Sequence, residues 1–138
     1  MQGPGPACRI GTAAFRHELA ASRALQQGLN RYLYVLMAQL ATSAGCLRYH
    51  LIGPRLARWL LMSQDRAHSD TFRVTHEFLA YMLGVRRVGV TTAAKSLQQA
   101  GLIDYHRGAM HVLDRPGLEA AACECYAAES KVYADLLA

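Results

Sequence analysis

The chain has 138 residues, is 52% hydrophobic and carries a formal charge of +5 at pH 7, enough for one modest core or two small ones. It contains neither an apolar run near the roughly 18 residues of a membrane-spanning helix nor a basic-then-hydrophobic leader with a small-residue cleavage site, so the expectation is a soluble cytoplasmic protein. The basic surplus is uneven, with 14 Lys/Arg against 6 Asp/Glu over residues 1–115 and 1 against 4 over residues 116–138, a balance that suits DNA, RNA or an acidic membrane surface alike.

In chain order, Met1 to Pro6 has turn and linker composition, and Cys8-Arg9-Ile10-Gly11-Thr12 followed by Ala13 to Ala20 reads as a strand leading into a short helix. A long helix follows, with two apolar seams. Leu25, Leu29, Tyr32, Leu36, Ser43 and Cys46 lie on one, and Leu33, Met37, Leu40, Ala44, Leu47 and Leu51 on the other. A helix with two apolar faces needs two partners. The simplest arrangement sets one seam against the same helix of a second chain and the other against its own chain, giving a parallel homodimer; a single helix buried in a monomer is the alternative. Gly53-Pro54 then ends this helix and starts another, because proline is tolerated in a first helical turn but not in an interior one. In that next helix Trp59, with Leu56, Leu60 and Leu61, reads as core and not as a platform for stacking bases.

The stretch from Val74 to Leu113 reads as helix, tight turn, second helix and β-hairpin. Thr75 is the expected N-cap of the first helix, with Phe78, Leu79, Met82 and Leu83 as its apolar positions. Gly84 supplies the positive φ of the turn, and Val85 packs between the helices. The second helix, near residues 86–99, turns Val90, Ala93, Ala94 and Leu97 inward and leaves Arg86, Arg87, Val88, Thr91, Thr92 and Lys95 outside. Those outer residues suit DNA: an arginine fork fits guanine, threonine offers a hydroxyl or a methyl, Val88 can meet a thymine methyl, and lysine suits phosphate. Gly89 costs this helix roughly 1 kcal/mol relative to alanine, so it depends on packing. Gly101 caps it, and the alternation through Asp104-Tyr105-His106, a turn at Arg107-Gly108, and Met110 to Leu113 is a hairpin signal. The expected fold is therefore mainly α with a small β-hairpin wing: a long dimerisation helix followed by a winged helix-turn-helix. Arg107 at the wing tip and His76 just after the cap complete the expected DNA face, with Thr75, Arg86, Arg87, Val88, Thr91, Thr92 and Lys95. The pairing face is expected at Leu25, Leu29, Tyr32, Leu36, Leu40 and Leu47.

Asp114 caps a C-terminal helix with Pro116 in its first turn, Leu118, Ala121, Ala122, Cys125 and Tyr126 form its inward stripe, and helical composition continues to Ala138. Cys8, Cys46, Cys123 and Cys125 form no CxxC pair, and Cys123-Glu124-Cys125 has no matched second pair, so the cysteines read as structural thiols and no metal or other cofactor is expected. A metal-responsive regulator is a lesser alternative that metal content would decide. His17, His50, His68, His76, His106 and His111 are scattered, and no nucleophile stands in a triad motif, so no enzyme is expected.

Four ordered motifs, Arg55-Leu56-Ala57-Arg58-Trp59-Leu60-Leu61-Met62, Thr75 to Arg87, Leu97 to Ile103, and Leu118 to Tyr126, resemble the C-terminal DNA-binding domain of Crp/Fnr-type transcription regulators. The resemblance implies that the helix from about Arg86 reads DNA, with Arg87 at the family's base-contacting arginine. It also implies that chains pair through the long helix and that RNA polymerase is a further partner. Residues 1–21 would then be the tail of a sensor domain, 22–52 the dimerisation helix, 53–117 the winged helix-turn-helix domain and 118–138 a helical extension. The effector-binding β-roll that precedes such a tail in the family is not found in this sequence, so the expectation is a truncated form, a fragment or a regulator that has lost its sensor, and the N-terminal cysteine cluster of the oxygen-sensing branch is lacking. Where many members carry Glu and then Thr after the arginine, this chain has Val88 and Gly89, and Thr92 replaces a second arginine, so its operator cannot be borrowed from relatives. The expected function is sequence-specific binding of a homodimer to an inverted repeat in double-stranded DNA. The alternative is a sensorless interaction module that modulates a full-length relative without reading DNA itself.

Overall fold

A computed structural model describes residues 6–137. The expected linker lies, over residues 1–5, outside the described residues. The expected strand over Cys8–Thr12 does not form: Cys8 to Gly11 are exposed and belong to no strand, Thr12 already opens a helix, and the sheet is built from residues far along the chain. Helix α1 (Thr12–Ala21) gives way at Ser22 to α2 (Arg23–Tyr49), and the Ser22 hydroxyl caps α2 by accepting from the Leu25 amide at 3.2 Å.

Helix α3 (Ile52–Ala67) carries Pro54 in its first turn and buries Leu56, Ala57, Leu60 and Leu61. A short strand β1 (Thr71–Arg73), not expected from the sequence, leads to α4 (His76–Leu83) and α5 (Arg87–Gln99). Strands β2 (Ile103–His106) and β3 (Ala109–Val112) form the hairpin, and β1 pairs antiparallel with β3, Phe72 opposite Met110, so the wing is a three-stranded sheet of order β1-β3-β2. Three residues with little alternation carry too weak a signal to mark β1 in advance. The wing turn has φ of 48° at Arg107 and 83° at Gly108, the positive pair that matches the twist of a two-residue hairpin.

Helix α6 (Arg115–Ala121) starts on Asp114, whose carboxylate accepts from the Gly117 amide at 3.0 Å. The chain then breaks before α7 (Cys125–Leu137), so the expected continuous C-terminal helix is two. The core lies among α3, α4, α5, α6 and the sheet, around Leu56, Leu60, Leu61, Leu79, Val90, Ile103, Met110 and Leu118. On α4 the sequence reading is corrected at two positions: Phe78 and Met82 are exposed, Phe78 making an edge-to-face contact with half-buried Trp59, while Ala80 takes an inward position. At Gly89 a Cβ would stand 2.8 Å from Ile52 Cδ1, the tip of a side chain on α3 that would have to move aside.

Helix α7 runs antiparallel along α2, with Cys46 beside Cys123 and, further on, Gln39 and Tyr133 lining one cleft. Between them α3 contributes Arg58, whose guanidinium bonds both carboxylate oxygens of buried Glu129 and the Ser43 hydroxyl, tying α2, α3 and α7 together. Arg55 donates to the Leu83 carbonyl at the end of α4, where helix carbonyls lack partners. Neither arginine showed in the sequence as a buried tie.

Candidate nucleic-acid interface

Helix α5 is positioned from behind by Val90, Ala94 and Leu97, all buried, with Ala93 half-buried. Its opposite side is open: Arg86, Arg87, Val88, Thr91, Thr92 and Lys95 are all exposed, Val88 at 67%. An exposed valine covered by no other part of the chain is a contact surface in waiting. Arg86 is the N-cap and no side chain caps the helix, and the Gly89 amide turns back to the Arg86 carbonyl at 2.9 Å, so the amides before it and the positive end of the helix dipole face outward where an anion can meet them.

Both threonines turn their hydroxyl hydrogens back onto the helix, Thr91 Oγ1 donating to the Arg87 carbonyl at 3.1 Å and Thr92 Oγ1 to the Val88 carbonyl at 3.0 Å. Each keeps a methyl group that suits a thymine methyl, and the Thr92 oxygen keeps acceptor lone pairs that suit the exocyclic amine of adenine or cytosine.

Thr75 caps α4 as expected, its hydroxyl accepting from the Phe78 amide at 3.1 Å. His76 is half-buried, unlike its eight companions. Its ring stacks on Tyr105 of the wing with centroids 4.3 Å apart, and Nδ1 lies 3.0 Å from Thr91 Oγ1. Because the Thr91 hydrogen is engaged by Arg87, the histidine donates from Nδ1; Nε2 is enclosed without a partner. Burial and then the charge of Arg87 hold its pKa below the ordinary histidine value. The ring thus joins α4, α5 and the wing. Arg107 is exposed at the wing tip.

The sequence-predicted pairing residues lie along α2. Tyr32, Leu36, Leu40 and Leu47 are exposed and Leu25 and Leu29 half-buried. The two expected seams are rearranged: Ser43 and Cys46 join Val35, Gln39 and Thr42 on the side toward their own chain, while Tyr32 and Leu36 stand with Leu33, Met37, Leu40, Ala44 and Leu47 on one broad exposed face, and Leu51 falls beyond the helix at the N-cap of α3.

A second cluster escaped the sequence reading. Cys46 near the end of α2, His50 at its C-cap, and Cys123 and Cys125 at the α6–α7 break converge, with one ligand-capable atom from each lying within 4.8 Å of the others. Burial works to raise the Cys46 pKa, but hydrogen bonds with His50 and Cys123 and the charge of Arg58 outweigh it and hold it below the usual thiol value. Burial and the neighbouring Cys46 push Cys123 up to about 12. Cys123-Glu124-Cys125 lacked a matched second pair in the sequence; the other half comes from a residue 77 positions from Cys123, a separation no local spacing rule detects.

The fold and the open face of α5 define a winged helix-turn-helix protein. Residues 54–121 match the family described as the Crp-like helix-turn-helix domain. Among solved structures, a proposed transcriptional regulator of the Crp/Fnr family from Eubacterium rectale superposes with a TM-score of 0.61 at 21% identity, over 81% of this chain and 52% of its own. The catabolite activator protein of Thermus thermophilus gives 0.46 at 23%, over 83% and 47%. The chain spans about half the length of either. No curated protein sequence matches. Residues 54–121 therefore carry a Crp-like helix-turn-helix domain.

Proposed function

We propose that this protein regulates transcription as a homodimer that reads an inverted repeat in double-stranded DNA through α5. The observation that carries the reading is the division of α5 into a buried apolar side and an exposed side of Arg86, Arg87, Val88, Thr91, Thr92 and Lys95. Arg87 specifies a base, Val88 and the threonine methyls meet thymine, and Lys95 and the α5 amides hold phosphate. Arg107 supports the same reading. A non-glycine residue at φ 48° is an uncommon choice where Gly or Asn is easier, and here it sets a cation at the wing tip. His76 acts behind this face, fixing Thr91 and the wing.

The exposed apolar face of α2 supports pairing with a second copy, which would set two α5 helices in successive major grooves roughly 34 Å apart. That face would also accept the equivalent helix of a relative, which is the observation favouring the interaction-module reading. Selection from random duplexes by the purified chain at near-physiological salt tests both. Enrichment of an inverted repeat supports dimeric reading of DNA. A folded dimer that enriches nothing, and that strips a full-length relative from its operator, supports the second reading.

A further inference from the structure

We infer that Cys46, His50, Cys123 and Cys125 form a tetrahedral site for one thiophilic divalent cation of the zinc class. Three sulfurs and one imidazole are the ligand set of closed structural zinc sites. Bonds of about 2.3 Å to sulfur and 2.0–2.1 Å to nitrogen at tetrahedral angles place two sulfurs about 3.8 Å apart and a sulfur and a nitrogen about 3.6 Å apart. Here Cys46 Sγ lies 3.6 Å from Cys123 Sγ, and Cys125 Sγ lies 3.6 Å from His50 Nδ1. Both match edges of such a tetrahedron, and all four ligand atoms lie within 4.8 Å of one another. A disulfide would close the sulfurs to about 2.05 Å, and a four-iron cluster would hold its ligands further apart.

The outer partner is also in place. With Nδ1 turned to the thiols, His50 Nε2 lies 3.0 Å from Glu124 Oε1, so the carboxylate accepts from Nε2–H, fixes the ring and selects the tautomer that leaves Nδ1 free to ligate. Cys46 and Cys123, 1% and 6% exposed, form a dry floor, while His50 and Cys125 are half-buried and give the ion a way in. Four protein ligands complete the tetrahedron and leave no open position, so the site is structural and not catalytic. It pins the end of α2 to the α6–α7 break, where the Cys123 amide also reaches the Pro54 carbonyl.

The test uses the full chain, reduced, stripped with a chelator and titrated with Zn²⁺ alone and Co²⁺ alone. The expected result is one ion per chain, a higher melting temperature with Zn²⁺, and the intense visible bands and sulfur-to-metal charge transfer of tetrahedral thiolate cobalt. Glu124→Gln should weaken Zn²⁺ about tenfold, within the range of losing an outer partner, and Cys125→Ser or His50→Ala by more than the roughly hundredfold top of that range. These two ligands are not fully buried, so their circular dichroism should stay that of the parent even if Cys46→Ser or Cys123→Ser fails to fold. Substoichiometric zinc, an octahedral cobalt spectrum, affinity unchanged in both Cys125→Ser and His50→Ala, or a quantitative Cys46–Cys123 disulfide that resists reductant would overturn the site. None of these readouts involves DNA, so the site and the proposed DNA-binding activity stand or fall separately.

Discussion

Between Ile52 and Ala121, Leu56, Leu60, Leu61, Leu79, Val90, Ile103, Met110 and Leu118 are shut away from water, whereas α2, with 27 residues, buries only Val35 and Cys46. The first region closes its own core. The second leaves Tyr32, Leu33, Leu36, Met37, Leu40 and Leu47 in solvent along one side of a single helix, a contiguous apolar patch of the kind that marks an interaction site. The same kind of residue is therefore placed differently in each region. A leucine in α3 holds one chain together, while a leucine on the open side of α2 packs against nothing in its own chain and, under the proposed pairing, would meet a second chain.

The sharpest way to break this contrast is to damage each side in turn. Leu60→Ala, within the closed core, should destabilise the chain by about 2–5 kcal/mol, with a lower thermal midpoint at every protein concentration. Leu40→Asp, on the exposed face, should leave the fold by circular dichroism but shift sedimentation from dimer to monomer at micromolar concentration. Losing the linked second site should then weaken binding to an inverted repeat by about 100-fold or more. If Leu40→Asp instead lowered stability of the monomer as Leu60→Ala does, α2 would belong to the core and the division would fail.

On the exposed face of α5, the proposed function makes a finer contrast between reading and holding. Arg87→Ala should cost about 1–3 kcal/mol on the specific duplex and relax base choice, whereas Lys95→Ala should weaken all duplexes alike and flatten the salt dependence. Equal losses for Arg87→Ala on specific and random DNA would remove its assigned role. Gly117→Ala probes the support of the same domain. A Cβ there meets the Asp114 carboxylate and would stand 2.6 Å from Leu102 Cδ2, so it should remove the α6 cap at a cost of about 1 kcal/mol, seen in denaturant midpoint and not in base preference.

Periodicity exposed what is local. The apolar stripe of α5, the Thr75 and Asp114 caps, and the Arg107-Gly108 turn each depend on neighbours within four residues, and the sequence states them directly. It could not state which side of α2 its own chain covers, because that depends on α7, some 80 residues away, and on Arg58 and Glu129 meeting between them. Charged residues are ordinarily read as solvated, so this pair and Arg55 were invisible as interior ties. The thiol cluster was hidden for the same reason: its halves come together only when α2 and α7 pack antiparallel.

The smallest expected effect concerns His76, which sits where the open face of α5 and the wing join. Its stacking on Tyr105 of the wing and its bond to Thr91 of α5 hold it in a half-buried place beside Arg87. Burial and that positive charge lower its pKa in the folded protein. In the unfolded chain it takes up a proton as pH falls through about 6.5, while the folded protein resists protonation until lower pH. The unfolded state then binds more protons, so stability falls as pH drops below about 6.5 and is regained above it. One proton limits the slope to about 1.4 kcal/mol per pH unit. His76→Phe keeps a flat aromatic ring against Tyr105 but cannot titrate. Subtracting its unfolding free energies from those of the parent across pH 5 to 7.5 should isolate a slope of that sign. A difference independent of pH would mean that His76 titrates alike in the folded and unfolded chain and is not held in the half-buried place that bracing Thr91 and the wing requires.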